Sequence, residues 1–429
     1  MHPRQRPIEQ DLREELVSRR KFLARMGGAA VAGGALPFLL DACGKSSAGG
    51  GGGGGGNSKK MLPRPNKPVK WPISSDNKAI KSGLKPEKNA TLQVFNWDQY
   101  LNPKLFKQFE KKYDCKVQLT TFTDLQEGLQ KVQSGQFNFD VYFPEVDILP
   151  PLIENKVLAP LNHSYIPNMA NLWRSYDSPW YDVDAQYTVP YTVYTTGLGY
   201  RKDHVHEDPF KMSTAGAWGI MWNKKYKGRV AILDDVGDGL ACVALKLGIT
   251  DFSSGYTSSQ LAAIERELLA LKNNVSVQVD NNDYTYLPEG RVYVHQAWSG
   301  DIVSAPYYLP KGTSPDVLGY WYTLKGGMID NDLITVMRTG KNPVLAHLFL
   351  NFMLDYHNVL ENMSWTGYQQ PQRKMNPNDL VKQGLVAPNL TSCIVQESYF
   401  KHGWYNELPQ TPEETAKYQG VWERFTTGV

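Results

Sequence analysis

Cysteine is scarce in this chain of 429 residues: there are four, Cys43, Cys115, Cys242 and Cys393, and no Cys-x-x-Cys pair. A disulfide-rich scaffold and a paired-thiol metal or redox site are therefore not in view. With Cys43 set aside, the odd remainder allows at most one bridge, and Cys115 and Cys242 read as small buried apolar residues. An excess of one charge is missing as well. Lys and Arg number 46 against 43 Asp and Glu, a net +3, so no basic footprint for nucleic acid exists. Long hydrophobic runs are absent too: the apolar, Gly/Ala-rich stretch from Met26 to Leu40 has 15 residues, short of the roughly 20 that a spanning helix needs. Catalytic signatures are wanting. There is no Gly-x-Ser-x-Gly, no His-Glu-x-x-His, no P-loop and no Gly-x-Gly-x-x-Gly after a strand. The cluster His204-Val205-His206-Glu207-Asp208 reads as solvated loop residues, and Asp280-Asn281-Asn282-Asp283 lacks the glycine and spacing of a calcium loop.

What the chain has in quantity is aromatic residues, with 24 Tyr and 11 Trp; aromatic-lined clefts are one outlet for such an excess. Its 41% hydrophobic content suffices for one large core or two medium ones.

The first residues read as an address. Ser18-Arg19-Arg20-Lys21-Phe22-Leu23 is a twin-arginine signal pattern, and Leu40-Asp41-Ala42-Cys43-Gly44 resembles a bacterial lipoprotein cleavage box, with Asp41 an unusual occupant. Residues 1–42 are expected to be the signal, and Cys43 a lipidated first residue anchored on the outer membrane face. The alternative is a single uncleaved anchor. Residues 43–90 read as a flexible tether: Gly49 to Gly56 is an unbroken glycine run, which cannot pack. Between Lys59 and Lys88 nine Lys/Arg face two acids, the composition of a solvated linker, a strap over the domain surface, or a segment lying on anionic head groups.

Beyond residue 90 the pattern alternates between periods of 2 and 3.6. Thr91 to Phe95 is a strand, Leu105, Phe106, Phe109 and Tyr113 mark a helix, and Cys115 to Phe122 is a second strand. Residues 124–133 are helical, and Phe139 to Phe143 is a third strand. This β-α-β-α-β series starts a parallel sheet. Tyr187 to Tyr200 is a long β-branched and aromatic run, suited to a strand that leaves one lobe and enters another. A second α/β region begins at Val230, with helices over Gly239–Leu247 and Ser258–Lys272 and strands over Arg291–Trp298 and Gly327–Val336. Asn342-Pro343 starts a helix expected to run to about Met363.

In open α/β sheets ligands sit beyond the carboxyl ends of strands, and aromatics and acids gather at such turns here. Trp97 and Tyr100 follow the first strand. Asp234, Asp235 and Asp238 precede a helix, where one of them serves as N-cap. Trp298, Asp330 and Asp332, and Tyr368 follow later elements. Convergent carboxylates and aromatic faces suit an aliphatic polycation, whose amines are charged at neutral pH. Each ammonium gains about 0.5–2 kcal/mol from an aromatic face and about 1.5–3 kcal/mol from a charge-assisted hydrogen bond. Two such ends support roughly micromolar affinity after binding costs.

Taken in order, Phe95-Asn96-Trp97-Asp98-Gln99-Tyr100, Pro190-Tyr191, Ala217-Trp218, Tyr226-Lys227-Gly228, Leu233-Asp234-Asp235, Glu289-Gly290, Ala297-Trp298, Gly326-Gly327 with Asp332, and Gly367-Tyr368 with Pro371 resemble the spermidine/putrescine-binding components of bacterial ABC importers. The resemblance covers roughly Thr91 to Phe425. It implies a two-lobed α/β periplasmic-binding-protein fold of type II, with hinge-crossing strands, no catalysis and no cofactor. Lobe 1 would comprise residues 91–194 and 331–380, and lobe 2 residues 195–330 and 381–429. The implied aromatic clamp falls on Trp97, Tyr100, Trp298 and Tyr368, and the acidic partners on Asp235, Asp238 and Asp332. Four positions depart from the pattern: Asp238 stands where the family commonly has glutamate, Glu145 and Asp147 where it has Ser and Tyr, and Asp330 where it has an aromatic. The family's late glutamine falls near Gln410. The implied partners are a polyamine, an importer's permease and ATPase, and the membrane through a lipid anchor, with the protein a monomer. Thiamine or ferric iron as cargo, and an exported enzyme, stand as alternatives.

Overall fold

The computed structural model describes residues 61–123, 125–324, 326–401 and 405–428. The twin-arginine pattern, Cys43 and the glycine run lie outside the described residues. Among those described, the strands follow in the order β1 (Thr91–Trp97), β2 (Lys116–Phe122), β3 (Val141–Tyr142), β4 (Thr188–Pro190), β5 (Tyr194–Arg201), β6 (Val230–Ile232), β7 (Gln278–Val279), β8 (Val294–Trp298), β9 (Leu318–Trp321), β10 (Met328–Asp330) and β11 (Leu333–Val336). They form two mixed sheets. The first has the order β2-β1-β3-β11-β4, and the second β10-β5-β8-β6-β7, with β9 pairing β5 beside β10.

In the first sheet β1 lies parallel to both β2 and β3, and β11 returns antiparallel to β3 and β4. Leu92, Val94 and Phe95 are buried, and Phe95 stacks on Phe139 with ring centroids 4.4 Å apart. The helix Pro103–Tyr113 starts at Asn102, whose side chain accepts from Lys104 N, with proline in the first turn, where a missing N–H costs nothing. It buries Leu105, Phe106 and Phe109, and Phe109 meets Phe349 of the helix Pro343–Met353 edge-on at 5.1 Å. In the second sheet β6 is parallel to β7 and β8. The helix Val236–Lys246 is buried over Asp238–Leu245, packed between the helices Ser258–Val275 and Pro412–Thr427. A side chain at Gly239 would sit 2.2 Å from the Trp422 ring, so that approach requires glycine.

The connections between the sheets are short. β4 ends in the first sheet at Pro190 and β5 begins in the second at Tyr194; β10 ends in the second at Asp330 and β11 begins in the first at Leu333. The two crossings hold each other, since Tyr191 N donates to Asp332 O at 2.7 Å. The run Tyr187–Tyr200 is thus two strands rather than one, and Gly327–Val336 likewise breaks at Asn331-Asp332. The helix expected to continue to Met363 breaks at Leu354. There Asp355 accepts from His357 N and Asn358 N and caps a second helix, Tyr356–Thr366. A side chain that satisfies two free N–H groups makes the restart inexpensive.

For residues 61–90, within the expected tether, a solvated linker, a strap over the domain surface and a segment on anionic head groups were open; the segment lies against the body as a strap. Trp71 is buried, with its indole N–H on Tyr181 O at 2.8 Å, and Val69 exchanges backbone bonds with Trp180 and Val183. Asn77 Nδ2 reaches Leu158 O at 2.9 Å, and the Glu87 carboxylate accepts from Val344 N and Leu345 N. Upstream, Arg64 Nε donates to Ser253 O at 3.0 Å. Two aromatic or apolar anchors and a helix cap are what the basic composition concealed. None of the described helices is long and apolar enough to cross a membrane.

Candidate functional site

Strand ends deliver the side chains. After β1, Gln99 takes a left-handed conformation (φ 55°), and the chain turns to present Tyr100. Its hydroxyl lies 2.5 Å from Asp332 Oδ2 and 2.7 Å from Thr192 Oγ1. Its ring stands edge-on to Tyr368 at 5.1 Å and to Tyr191 at 5.2 Å. Tyr368 follows the left-handed cap Gly367 and lies over Gly300, where a Cβ would come within 2.4 Å of its ring. Tyr194, the first residue of β5, completes the box. It is edge-on to Tyr368 at 5.8 Å, and its hydroxyl donates to Glu407 and stands 3.3 Å from Asp332 Oδ1.

A second group forms at the N-terminus of the helix Val236–Lys246. Of the acids there, Asp235 is the N-cap, accepting from Asp238 N at 2.7 Å. Asp238 is thereby free to turn inward. Its Oδ2 accepts from Trp298 Nε1 at 2.7 Å and its Oδ1 from Asn406 Nδ2 at 3.0 Å. Asp330, at the end of β10, accepts from Asn406 N at 3.0 Å and Glu407 N at 2.9 Å. One hydrogen-bonded chain therefore joins Tyr100, Asp332, Tyr194, Glu407, Asp330, Asn406, Asp238 and Trp298.

Every donor in that chain is neutral, and the electrostatics follow. Burial first, then neighbouring acids, drive the carboxyls above their ordinary range. Asp147 is pushed up to about 7 by burial and Asp235, and Asp238 to about 7 by burial and Asp235. Asp332 rises to about 6, since burial outweighs the hydroxyls of Tyr100, Thr192 and Tyr194 that favour its ionised form. Glu145 is pushed well up by burial and by Asp147, Asp332, Asp235 and Asp238. Glu407 is raised by burial, Glu145 and Asp330, Asp330 by burial and Asp238, and Asp235 by burial. Glu145, Asp147, Asp235, Asp238, Asp330, Asp332 and Glu407 thus form one acidic field in which each carboxyl feels others, and among the described residues no cationic side chain is bonded into it.

Of the residues singled out from the sequence, Tyr100, Asp332 and Tyr368 meet at one end and Asp235, Asp238, Trp298 and Asp330 at the other. Glu145 and Asp147, after β3, join both through their charge. Trp97 has different company: half-buried, it packs on Phe122 with centroids 4.5 Å apart. Glu407, Asn406, Tyr194 and Thr192 were not singled out. Gln410, the approximate match to the family's late glutamine, lines a small cavity with Arg64, Tyr256, Glu414 and Tyr418 instead; the site residue from that segment is Glu407, three positions earlier. Tyr194 lies in the crossing run and was legible as a strand residue, whereas nothing in the local pattern marks Glu407. His204 stacks on Tyr293 at 3.9 Å, and Glu207 accepts from Tyr226 and Asn223. Asp283 is buried and bonded by Trp298 N at 3.2 Å. Among the described residues no cluster of three His, Cys, Asp or Glu is arranged to hold a metal.

The sequence profile of the bacterial extracellular solute-binding proteins matches residues 104–384. The chain is 26% identical over 334 residues to the spermidine/putrescine-binding periplasmic protein of Escherichia coli, covering 76% of this chain and 90% of that one. It is 25% identical over 291 residues to the putrescine/cadaverine-binding protein of Pseudomonas aeruginosa, covering 67% and 80%. In fold it is similar to a spermidine/putrescine ABC transporter substrate-binding protein from Streptococcus pneumoniae, with a TM-score of 0.64, 22% identity and coverage of 79% and 99%. An iron-bound protein of Pseudomonas aeruginosa shares the fold at a TM-score of 0.57 and 16% identity, covering 77% and 99%. With its paired mixed sheets and short crossings, this two-lobed α/β chain belongs to the bacterial extracellular solute-binding protein family.

Proposed function

We propose that this protein captures a polyamine of the spermidine/putrescine type between its lobes and delivers it to an ABC importer, without chemical conversion. The observation that carries the reading is the union of an acidic field, without a cationic side chain bonded into it among the described residues, with the tyrosine box around Asp332 and the Trp298–Asp238 pair. Ammonium groups supply the missing positive charge, and the rings offer faces to the same groups and to the methylenes between them. A purely anionic ligand is disfavoured by every carboxylate of the field. The relatives from Escherichia coli and Pseudomonas aeruginosa are named for binding spermidine and putrescine, and putrescine and cadaverine.

The roles follow from position. Tyr100, Tyr368 and Asp332 hold one ammonium, and Asp238 with Trp298 and Asp235 another. Of the bounds expected from the sequence, 91–194 with 331–380 and 195–330 with 381–429, those at the crossings move slightly: Tyr194 opens β5 in the second sheet, so lobe 1 ends at 190 and resumes at 333, lobe 2 runs from 194 to 330, and the hinge is 191–193 and 331–332. Ligand contacts that span both lobes shift the population toward the closed form. Export by the twin-arginine segment and lipidation at Cys43 put the receptor outside the cytoplasmic membrane, facing the permease of an importer whose ATPase drives uptake from the other side. A thermal-shift and calorimetric panel of putrescine, spermidine, spermine, thiamine and ferric iron tests the reading. Stabilisation by the amines alone is expected; stabilisation by thiamine or iron in their place defeats it. For the anchor, Cys43→Ala is expected to release the protein from the membrane fraction, and retention counts against lipidation.

A further inference from the structure

The proposal above needs two anionic ends, and the groove supplies more. A ligand with two ammonium groups, one at Asp332 and one at Asp238, leaves Glu145, Asp147 and Glu407 without a counter-charge. These three do not behave as bystanders. Tyr194 bridges Glu407 to Asp332 through one hydroxyl, which sets the Glu407 carboxylate at the tyrosine box. Its second oxygen, Oε2, is buried and has no hydrogen-bond partner, and so is Asp147 Oδ1. Beside Glu145 and Asp147 lies the Tyr142 hydroxyl, fully buried and also unpartnered. A buried acceptor left unmade costs free energy; Tyr142, Asp147 and Glu407 each leave one such atom open, and their charges reach one another, so a donor with several N–H groups suits this part of the field. An ammonium has three donors and no acceptor.

Resting on the polyamine reading, we infer that Glu407 with Glu145 and Asp147 forms a third cation subsite that selects cargo by charge number. The ligand class is an aliphatic polyamine with three or four cationic nitrogens, and diamines are poor substitutes. Glu407 arrives from the segment before the last helix, Glu145 and Asp147 from the end of β3, so the subsite draws on residues far apart in the chain. It also explains why these positions tolerate acids. In the empty protein they share protons; with a tri- or tetracation bound they ionise as pairs.

The test is calorimetric titration of putrescine, spermidine and spermine into the wild-type chain and into Glu407→Gln and Glu145→Gln, with circular dichroism to confirm folding. Wild type is expected to bind spermidine or spermine at least tenfold more tightly than putrescine, and each variant to reduce that ratio at least fivefold. Equal affinity of wild type for the diamine and the tetraamine overturns the subsite, as does a ratio untouched in both folded variants. If one variant fails to fold, the other and the wild-type ratio still decide. Should none of the three amines bind wild type, the polyamine reading itself falls, a result distinct from loss of selectivity alone.

Discussion

Trp298 and Asp238 meet through the indole N–H, 2.7 Å from Oδ2, and the pair joins the end of β8 to the first turn of the helix Val236–Lys246. Trp298→Phe keeps most of the ring face and removes the donor. A hydrogen bond to a charged group contributes about 1.5–3 kcal/mol, so spermidine affinity is expected to fall about tenfold or more by calorimetry. Trp298→Ala should lose at least as much. An unchanged Kd in both variants removes this pair from the site.

At the other end, Asp332→Asn leaves the hydroxyls of Tyr100, Thr192 and Tyr194 facing a neutral amide in place of a carboxylate. Weakening of spermidine binding by at least tenfold is expected, with the fold kept. Full retention of affinity would show that the tyrosine box holds no ammonium.

Gly300 lies under Tyr368 so closely that a Cβ would come within 2.4 Å of the ring. Gly300→Ala must displace Tyr368, because overpacking of this kind costs about 1–3 kcal/mol. The expected signature is a lower melting temperature together with reduced ligand stabilisation. A variant that melts and binds like wild type contradicts the packing.

Asp147 and Asp238 titrate at about 7 and Asp332 at about 6, against roughly 4 for an unperturbed aspartate. A carboxyl raised in the folded state holds a proton that the unfolded chain has already lost, so these groups destabilise the empty protein as pH climbs from about 4 through 7. The ligand-free melting temperature is therefore expected to be higher at pH 5.5 than at pH 8. Polyamine binding expels those protons, so affinity runs the other way, stronger at pH 8. Equal affinity at both values speaks against ionised acids as the ligand's partners.

Trp71 anchors the strap, buried and bonded to Tyr181 O. Trp71→Ala should cost about 3–5 kcal/mol in urea unfolding. A loss below 1 kcal/mol would mean that the strap leaves the body readily in solution.

Much of the architecture was open to reading along the chain because it depends on local period. Thr91–Phe95, the helix on Leu105, Phe106 and Phe109, and the capped helix after Thr257 each follow from residues within a few positions of one another. Aromatics and acids at turns after strands followed from the same logic, which is why Tyr100, Asp238, Trp298 and Asp332 were candidates, and Tyr368 was one at the turn after a helix. The breaks at Asn331-Asp332 and at Leu354 needed pairing partners and caps to be seen. Glu407 had no local mark at all: its meaning comes from Tyr194, 213 residues away.

Amino-acid order by itself determined the alternation of strands and helices, the polar turns between them and the surplus of rings and acids at those turns, since propensity and periodicity act over short range. Only the tertiary structure decided which acids share a field, which one caps a helix so that another can face inward, and that a basic, proline-containing stretch lies down as a strap. Those outcomes depend on burial and on charge at a few ångströms, and distance through space is not encoded in distance along the chain.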